Sequence, residues 1–393
     1  MSEQRRVLVL NHFAVPRDQP GGTRHVELFS RLPDWQYTII ASRLNLSTGR
    51  RQATEEGFTF VPVIPYRSNG ISRVVNWISY AVMATIAGFQ APRPDVVYAS
   101  SPHLLAALAG WVIARTRRAR FILEVRDLWP RVLVDMGRLS ESSALYRALH
   151  ALELFLYKRA DRVVVMAPGC RTALQSLGVP ESKISYIPNG ADPEDFVASI
   201  DTSTLRARYG FTRLTGIYTG AHGPANGLDL LLDAAECVAD LPVDIILVGD
   251  GLNKAELIRD ASRRQLTNVR FMDPVPKTEI PDLLAAADFG LHVLADVELF
   301  RSSVSPNKIF DYMAAGLYVL TNCTGIVGDL VTKSGAGMVV GPLQLELGLK
   351  AVCMTAPAAR AECGDRGREW IEREQSRTAM ASRLEALLRA VAA

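Results

Sequence analysis

No two of the five cysteines stand in a C-x-x-C pair. Cys170, Cys237, Cys323, Cys353 and Cys363 are odd in number and widely spaced, so neither a disulfide framework nor a zinc site is implied and a cytoplasmic compartment is expected. A D-x-D triplet is missing throughout. That removes the usual carboxylate pair for a metal-bound diphosphate and predicts chemistry with neither a metal nor a resident cofactor. Neither half opens with G-x-G-x-x-G and a later acidic partner, which disfavours a nicotinamide enzyme. Val248-Gly249-Asp250-Gly251 ends a strand with glycines at the wrong spacing for a dinucleotide and reads as a plain strand-to-helix turn.

Long apolar runs are equally scarce. Only four strongly apolar residues, Val7 to Leu10, follow Arg5-Arg6, too few for the apolar core of a signal peptide, so they read as a first strand. No charge falls between Arg73 and Arg93, but Asn76, Ser79, Thr85 and Gln90 interrupt the run, and a spanning helix needs roughly 20 mostly apolar residues. Charge of one sign is also lacking overall, at net +3. Residues 1–200 nevertheless hold 24 Lys and Arg against 17 Asp and Glu, and the remainder 20 against 24. A basic first half suits an anionic surface or substrate, whereas a dedicated nucleic-acid binder is not expected.

What is present is ordinary globular material, 48% hydrophobic and 22% charged over 393 residues. That length exceeds what one core usually fills, so two domains are expected. Short β-branched runs alternate with helical patterns, the pattern of parallel sheets covered by helices. Strands are expected at 6–10, 37–41, 59–63, 96–99, 121–124, 162–166 and 184–187, then at 215–219, 244–248, 269–272, 289–293, 318–321 and 338–340. Pro188-Asn189-Gly190-Ala191-Asp192-Pro193 is dense in turn formers and marks the break. The expected fold is therefore α/β, with two Rossmann-like doubly wound parallel-sheet domains at 1–195 and 212–375 and a linker at 196–211. The stretch 357–393 reads as a pair of surface helices, with 376–393 able to pack back on the first domain. Its apolar face holds Trp370, Ile371, Met380, Leu384, Leu387 and Leu388.

Leu104–Ala114 is apolar and runs straight into Arg115, Arg117, Arg118 and Arg120. Two readings stay open: a peripheral contact with anionic lipid at the inner face of the plasma membrane, which is preferred, or a buried sheet-covering helix with a solvated basic end.

Several strand-end segments carry chemistry. In 219–227, Gly220, Gly223 and Gly227 let the backbone turn tightly and bring N–H groups against an anion such as a diphosphate. His222 and Asn226 lie in the same loop; a ligand-free turn is the alternative. Ser305 and Pro306 mark a helix start, followed by Asn307, with Lys308 in the first turn and Asp311 a turn later. A cation for phosphates and a carboxylate for ribose hydroxyls is what a nucleotide diphosphate requires; the alternative is a solvated Lys308–Asp311 surface pair. In Glu124-Val125-Arg126-Asp127-Leu128-Trp129-Pro130, Asp127 is placed to orient or deprotonate a hydroxyl and Arg126 to hold charge, unless the two form a structural ion pair over Trp129. Gly21-Gly22-Thr23-Arg24-His25 is a second glycine loop before a helix. His103 follows Ser100, Ser101 and Pro102 at another strand end.

Taken in order, Gly21-Gly22 and the segments 124–130, 187–192, 220–227, 248–251 and 306–316 resemble the retaining glycosyltransferases of family 4. Within that family the likeness is to the branch that includes bacterial N-acetyl-fucosamine and related amino-sugar transferases. The resemblance implies a GT-B fold with its two domains facing a cleft, a UDP-sugar donor held mainly by the second domain, and a glycan or lipid-linked acceptor held by the first. Lys308 and the 220–227 loop then meet the diphosphate, Asp311 meets the ribose, and Asp127 with Arg126 lies near the reacting sugar as the catalytic set with Lys308. Gly21, Gly22, Thr23, His25 and His103 fall to the acceptor. The family commonly has two glutamates separated by seven residues; here Asp311 takes the second place and Ser303 the first, which leaves the sugar without that carboxylate. Many members also carry an Arg and a Lys where this chain reads Ala221 to Asn226, so the burden shifts to Lys308, His222 and Arg301.

The expected activity is transfer of a sugar, a HexNAc or deoxy-amino sugar, to a hydroxyl with retention of configuration in cell-envelope or polysaccharide synthesis. A catalytically inactive UDP-sugar-binding protein and a UDP-sugar epimerase or hydrolase are the alternatives, the first motivated by Ser303 and the missing loop cations.

Overall fold

The computed structural model describes residues 4–46, 48–66, 70–101 and 103–392. Two compact units emerge, one of Met1–Pro188 with Thr378–Ala393 and one of Asn189–Arg377. Each is an α/β layer structure of the Rossmann type. Thirteen strands lie where β-branched runs were expected, because a parallel strand covered on both faces has to be apolar on both.

In the first unit the strands are β1 (Arg5–Leu10), β2 (Trp35–Ser42), β3 (Phe58–Val61), β4 (Val96–Ser100), β5 (Arg120–Val125), β6 (Arg162–Val165) and β7 (Ile184–Tyr186). They form one sheet in the order β3-β2-β1-β4-β5-β6-β7, every pairing parallel. β4 is buried at every position. The order reverses between β1 and β4, which opens a crevice beyond the carboxyl ends of those strands.

The second unit repeats the plan with β8 (Leu214–Thr219), β9 (Val243–Val248), β10 (Val269–Met272), β11 (Phe289–His292), β12 (Tyr318–Thr321) and β13 (Gly337–Val339). Their order is β10-β9-β8-β11-β12-β13, again parallel throughout. Here the reversal falls between β8 and β11.

Two expectations change, at residues 196–211 and at the helix Leu104–Arg117. Residues 196–211 are not a linker: they hold the helix Thr202–Tyr209, whose Leu205 joins Phe196 and Phe211 in the core of the second unit. The terminal helices divide between the units. Ile371 of Pro357–Glu374 lies in the second core, whereas Met380, Leu384, Leu387 and Leu388 of Arg377–Ala392 lie in the first. Finally, the helix Leu104–Arg117 buries Leu104, Ala106, Ala107, Ala109, Gly110, Ile113 and Ala114. Gly110 lies so close to β4 that an added Cβ would come within 2.5 Å of the Ala99 methyl. Its apolar residues thus cover the sheet and are not available to a lipid surface. No helix among the described residues is long and apolar enough to cross a membrane.

Candidate active site

At the second unit's switch point, β8 ends at Thr219 and the chain turns through Gly220 to Gly227 before the helix Leu228–Glu236. Gly227 adopts φ +54°, and a Cβ there would lie 2.8 Å from the Ala295 nitrogen, so only glycine fits this helix entry. Among the described residues no side chain caps the helix start, and N–H groups at such an end are suited to an anion.

The helix Asn307–Ala314 runs alongside, flanked by Pro306 and likewise without a side-chain cap. Lys308 reaches from its first turn into the loop, donating to the Tyr218 hydroxyl at 2.7 Å and to the Asn226 side-chain oxygen at 3.2 Å. Among the described residues it has no carboxylate partner, and burial pushes its ammonium down to about 7. A cation held by neutral oxygens is poised for an incoming anion. The same helix anchors the loop through Tyr312, whose hydroxyl accepts from the Thr219 backbone N–H at 2.8 Å.

Asp311 turns elsewhere, so the solvated Lys308–Asp311 pair is excluded. Asp311 is 7% exposed and is held by Lys277, with Arg377 3.6 Å away. Its Oδ1 accepts no hydrogen bond among the described residues. Lys277 and Arg377 lie 34 and 66 residues from Asp311 in the chain, and no local pattern links them to it.

His222 is fully buried and neither ring nitrogen finds a hydrogen-bond partner among the described residues. Burial, with Lys254 adding to it, pushes the ring down to about 4, so it is neutral near pH 7. It is therefore not a satisfied loop histidine. The turn after β9 abuts this loop closely: a Cβ on Gly249 would fall 1.9 Å from the Gly220 oxygen, and one on Gly251 2.5 Å from the His222 oxygen. The glycines of 248–251 thus answer to the neighbouring loop and not to a dinucleotide.

Other expected donor residues are already engaged. Arg301 is exposed and pairs with Asp296 and Glu298, so it is a surface cation in this arrangement. Ser303 is buried beside Ser302. Ser305 receives the Asn189 backbone N–H on its hydroxyl and the Asn189 side-chain amide on its carbonyl. Gly223 carries no steric demand, and Asn307 is the first helical residue.

In the first unit a buried carboxylate organises the strand ends. Glu124, at 0% exposure, accepts from Arg24 Nε at 2.9 Å, His25 Nε2 at 2.8 Å, the Tyr98 hydroxyl at 2.8 Å and the Ser100 hydroxyl at 2.7 Å. Burial alone would raise it, but Arg24 and His25 outweigh that and hold its carboxyl well below the usual carboxylate range. Arg24 also donates to the carbonyls of Ile187 and Pro188. Asn11 donates to His25 Nδ1 at 2.8 Å, which leaves the neutral ring donating through Nε2. Expected to face an acceptor, His25 instead has both nitrogens taken within this network. Thr23 bonds Glu27 at 2.9 Å. Gly21 adopts φ +141°, and Gly22 lies against the Phe13 carbonyl, so these four shape the loop.

His103 caps the helix Leu104–Arg117 by accepting from the Ala106 N–H at 3.3 Å and meets His12 at 2.9 Å. Burial pushes His103 down to about 3, and burial, with His103 beside it, holds His12 well below its usual value. If Nδ1 of His103 accepts, its Nε2–H donates to His12 Nδ1, and His12 is left with an Nε2–H that has no partner among the described residues. His12 escaped the sequence reading because it follows β1 without any flanking motif. Arg126 and Asp127 do not pair with each other among the described residues. Asp127 is exposed just beyond the end of β5, while Trp129 packs edge-on against Trp77 at 5.4 Å.

Residues 15–190 match the family described as Glycosyl transferase 4-like domain, and residues 213–356 match Glycosyl transferases group 1. The chain belongs to the GT-B glycosyltransferases of family 4. The chain is 23% identical over 261 residues to a putative colanic acid biosynthesis glycosyl transferase, WcaI, of Escherichia coli K12, covering 64% of each chain. It is 26% identical over 255 residues to the probable glycosyltransferase WbjE of Pseudomonas aeruginosa, covering 64% of this chain and 62% of that one. It thus spans a little under two thirds of the length of these relatives. In fold it matches Anabaena Alr3699/HepE, solved with UDP and glucose, at a TM-score of 0.73 with 18% identity, covering 98% of this chain and all of that one.

Proposed function

We propose that the protein transfers a glycosyl group from a UDP-sugar to a hydroxyl of a glycan or lipid-linked acceptor in cell-envelope or polysaccharide synthesis, with retention of configuration and without a metal. The observation that carries this is Lys308, an ammonium that among the described residues has no carboxylate partner and lies beside two helix starts without a side-chain cap. A diphosphate there gains one full charge and several N–H donors, and the same groups stabilise the charge that grows on the departing UDP. Asp311 offers its unbonded Oδ1 to a ribose hydroxyl. In the first unit the exposed Asp127 orients the acceptor hydroxyl, with Arg126 beside it. The acceptor oxygen bonds to the anomeric carbon as the bond from that carbon to the diphosphate oxygen breaks on the same face, and the hydroxyl proton passes to the departing diphosphate. The likeness to a fold solved with UDP and glucose supports the donor class, and the relative named for colanic acid biosynthesis supports the setting.

Thermal-shift measurements with UDP-, GDP- and dTDP-sugars test the donor. UDP-sugars are expected to stabilise the protein, and Lys308→Ala to remove most of that effect. No stabilisation by any nucleotide sugar would sink the reading. The buried Ser303, standing where a sugar-facing carboxylate is common, motivates the second reading: a non-catalytic binder, which gains stability from UDP-sugar yet turns over no donor with any acceptor. Donor consumed without acceptor would point to an epimerase or hydrolase.

A further inference from the structure

The helix Ile71–Gln90 is built inside out for a soluble protein. Its buried row, one residue per turn, is Asn76, Tyr80, Ala84 and Gly88, and its exposed row is Val74, Ile78, Val82 and Ile86. These four are 45%, 49%, 53% and 44% exposed, with Phe89 at 42% extending the row. A surface helix ordinarily presents charge outward, yet no charged residue occurs from Val74 to Gln90. The inner row has specific partners. A Cβ on Gly88 would lie 2.4 Å from Ile113 of the helix Leu104–Arg117, the Asn76 amide donates to the Ile64 carbonyl at 2.7 Å, and the Tyr80 hydroxyl donates to the Ile40 carbonyl at 2.7 Å. The helix is thereby fixed with its branched aliphatic side chains facing out. Ile64, itself 52% exposed, is held alongside.

Positive charge gathers where the two helices end together. Arg117 donates to the Phe89 and Ala91 carbonyls at 2.7 and 2.9 Å. Arg93, Arg115 and Arg118 are exposed close by in the chain and have no ion-pair partner among the described residues. Between Glu56 and Glu124 the sequence holds a single acidic residue, Asp95, and its carboxylate accepts the Arg6 backbone N–H.

We propose that this face docks on a lipid bilayer carrying anionic headgroups. The Val74–Ile78–Val82–Ile86 row lies in the interface plane, and Arg93, Arg115 and Arg118 pair with lipid phosphates. The lipid-facing helix is therefore Ile71–Gln90, not the helix Leu104–Arg117 whose apolar residues cover the sheet. Charge complementarity selects this occupant: a protein partner would need no phosphate-binding rim, and a second copy of the same basic face would repel itself. The proposal is independent of the donor reading, since it requires no turnover.

The test is co-sedimentation of the full chain with phosphatidylcholine vesicles, with and without about one third phosphatidylglycerol. Binding is expected only to the anionic vesicles, to weaken with added salt, and to fall at least about tenfold in the triple variant Ile78→Gln, Val82→Gln, Ile86→Gln. Glutamine keeps helix propensity, and an unchanged melting temperature with UDP response retained shows that both units stay folded. Arg93→Gln with Arg118→Gln is expected to weaken binding and flatten its salt dependence. Absence of vesicle binding, or equal binding by the triple variant, overturns the proposal. So does self-association seen by light scattering and abolished by the same three substitutions, which would assign the face to a second copy.

Discussion

The Lys308 ammonium lies 3.9 Å from the centroid of the Tyr218 ring and donates to that ring's hydroxyl. The ring face and two neutral oxygens hold the charge in place without cancelling it. Burial makes Lys308 lose its proton more easily than an ordinary lysine, and a diphosphate bound beside it is expected to restore the charge.

Proton uptake on binding follows directly. With a free-state value of about 7, most Lys308 side chains are neutral near pH 8, and a bound diphosphate restores the charge. Calorimetry in buffers of different ionisation enthalpy is expected to show uptake of about half a proton or more per UDP at about pH 8. Lys308→Met is expected to abolish the buffer dependence. Equal uptake by that variant would remove Lys308 from the diphosphate.

Glu124 is expected to matter more to folding than any residue exposed at the strand ends. Glu124→Ala leaves the Arg24 guanidinium, 5% exposed, without its carboxylate, at a cost of about 3–5 kcal/mol. Asp127→Asn, at an exposed position, is expected to leave stability unchanged while lowering kcat by roughly 10²–10⁴. Denaturant midpoints beside transfer assays separate the two; a large stability loss in Asp127→Asn would contradict its exposure.

The buried histidines make the first unit acid-sensitive. His103 is pushed down to about 3 and His12 also well down, whereas both titrate near 6.5 when unfolded. The unfolded chain thus binds more protons in between, so the stability from these rings is complete above about pH 6.5 and drains as pH falls toward 3. Each ring contributes up to about 1.4 kcal/mol per pH unit within that window. Denaturation midpoints measured between about pH 7.5 and 5.5 should fall with pH. In the double variant His12→Phe, His103→Asn, which keeps a residue able to cap the helix, the slope should shrink. An unchanged slope would place the sensitivity elsewhere.

Gly249→Ala would set a methyl 1.9 Å from the Gly220 oxygen at φ +144°. A loss of about 2 kcal/mol or more is expected, together with loss of UDP stabilisation, because the loop displaced is the one that receives Lys308. Wild-type UDP affinity in this variant would show that the two turns move independently.

The sheets were legible because a strand buried on both faces advertises itself as a short β-branched run, and all thirteen were placed that way. Lys308 was legible too, since a helix start followed by a cation is a local pattern. What the chain does over long separations was hidden. Nothing near Asp311 announces Lys277 or Arg377, and nothing in 196–211 announces that Leu205 joins a core. The helix Ile71–Gln90 was opaque for another reason. Its two rows are both uncharged, so only the tight seat of Gly88 against Ile113 and the carbonyl waiting for Asn76 decide which row turns inward. The helix Leu104–Arg117 misled for the same reason, because an apolar row beside arginines looks alike whether it meets a sheet or a lipid.

The turns after β8 and β9 share a boundary with no room for a single methyl at Gly249 or Gly251. They are in effect one part made from two stretches of chain. A foreign 220–227 loop with a different backbone path is therefore expected to seat only when residues 248–251 are exchanged along with it.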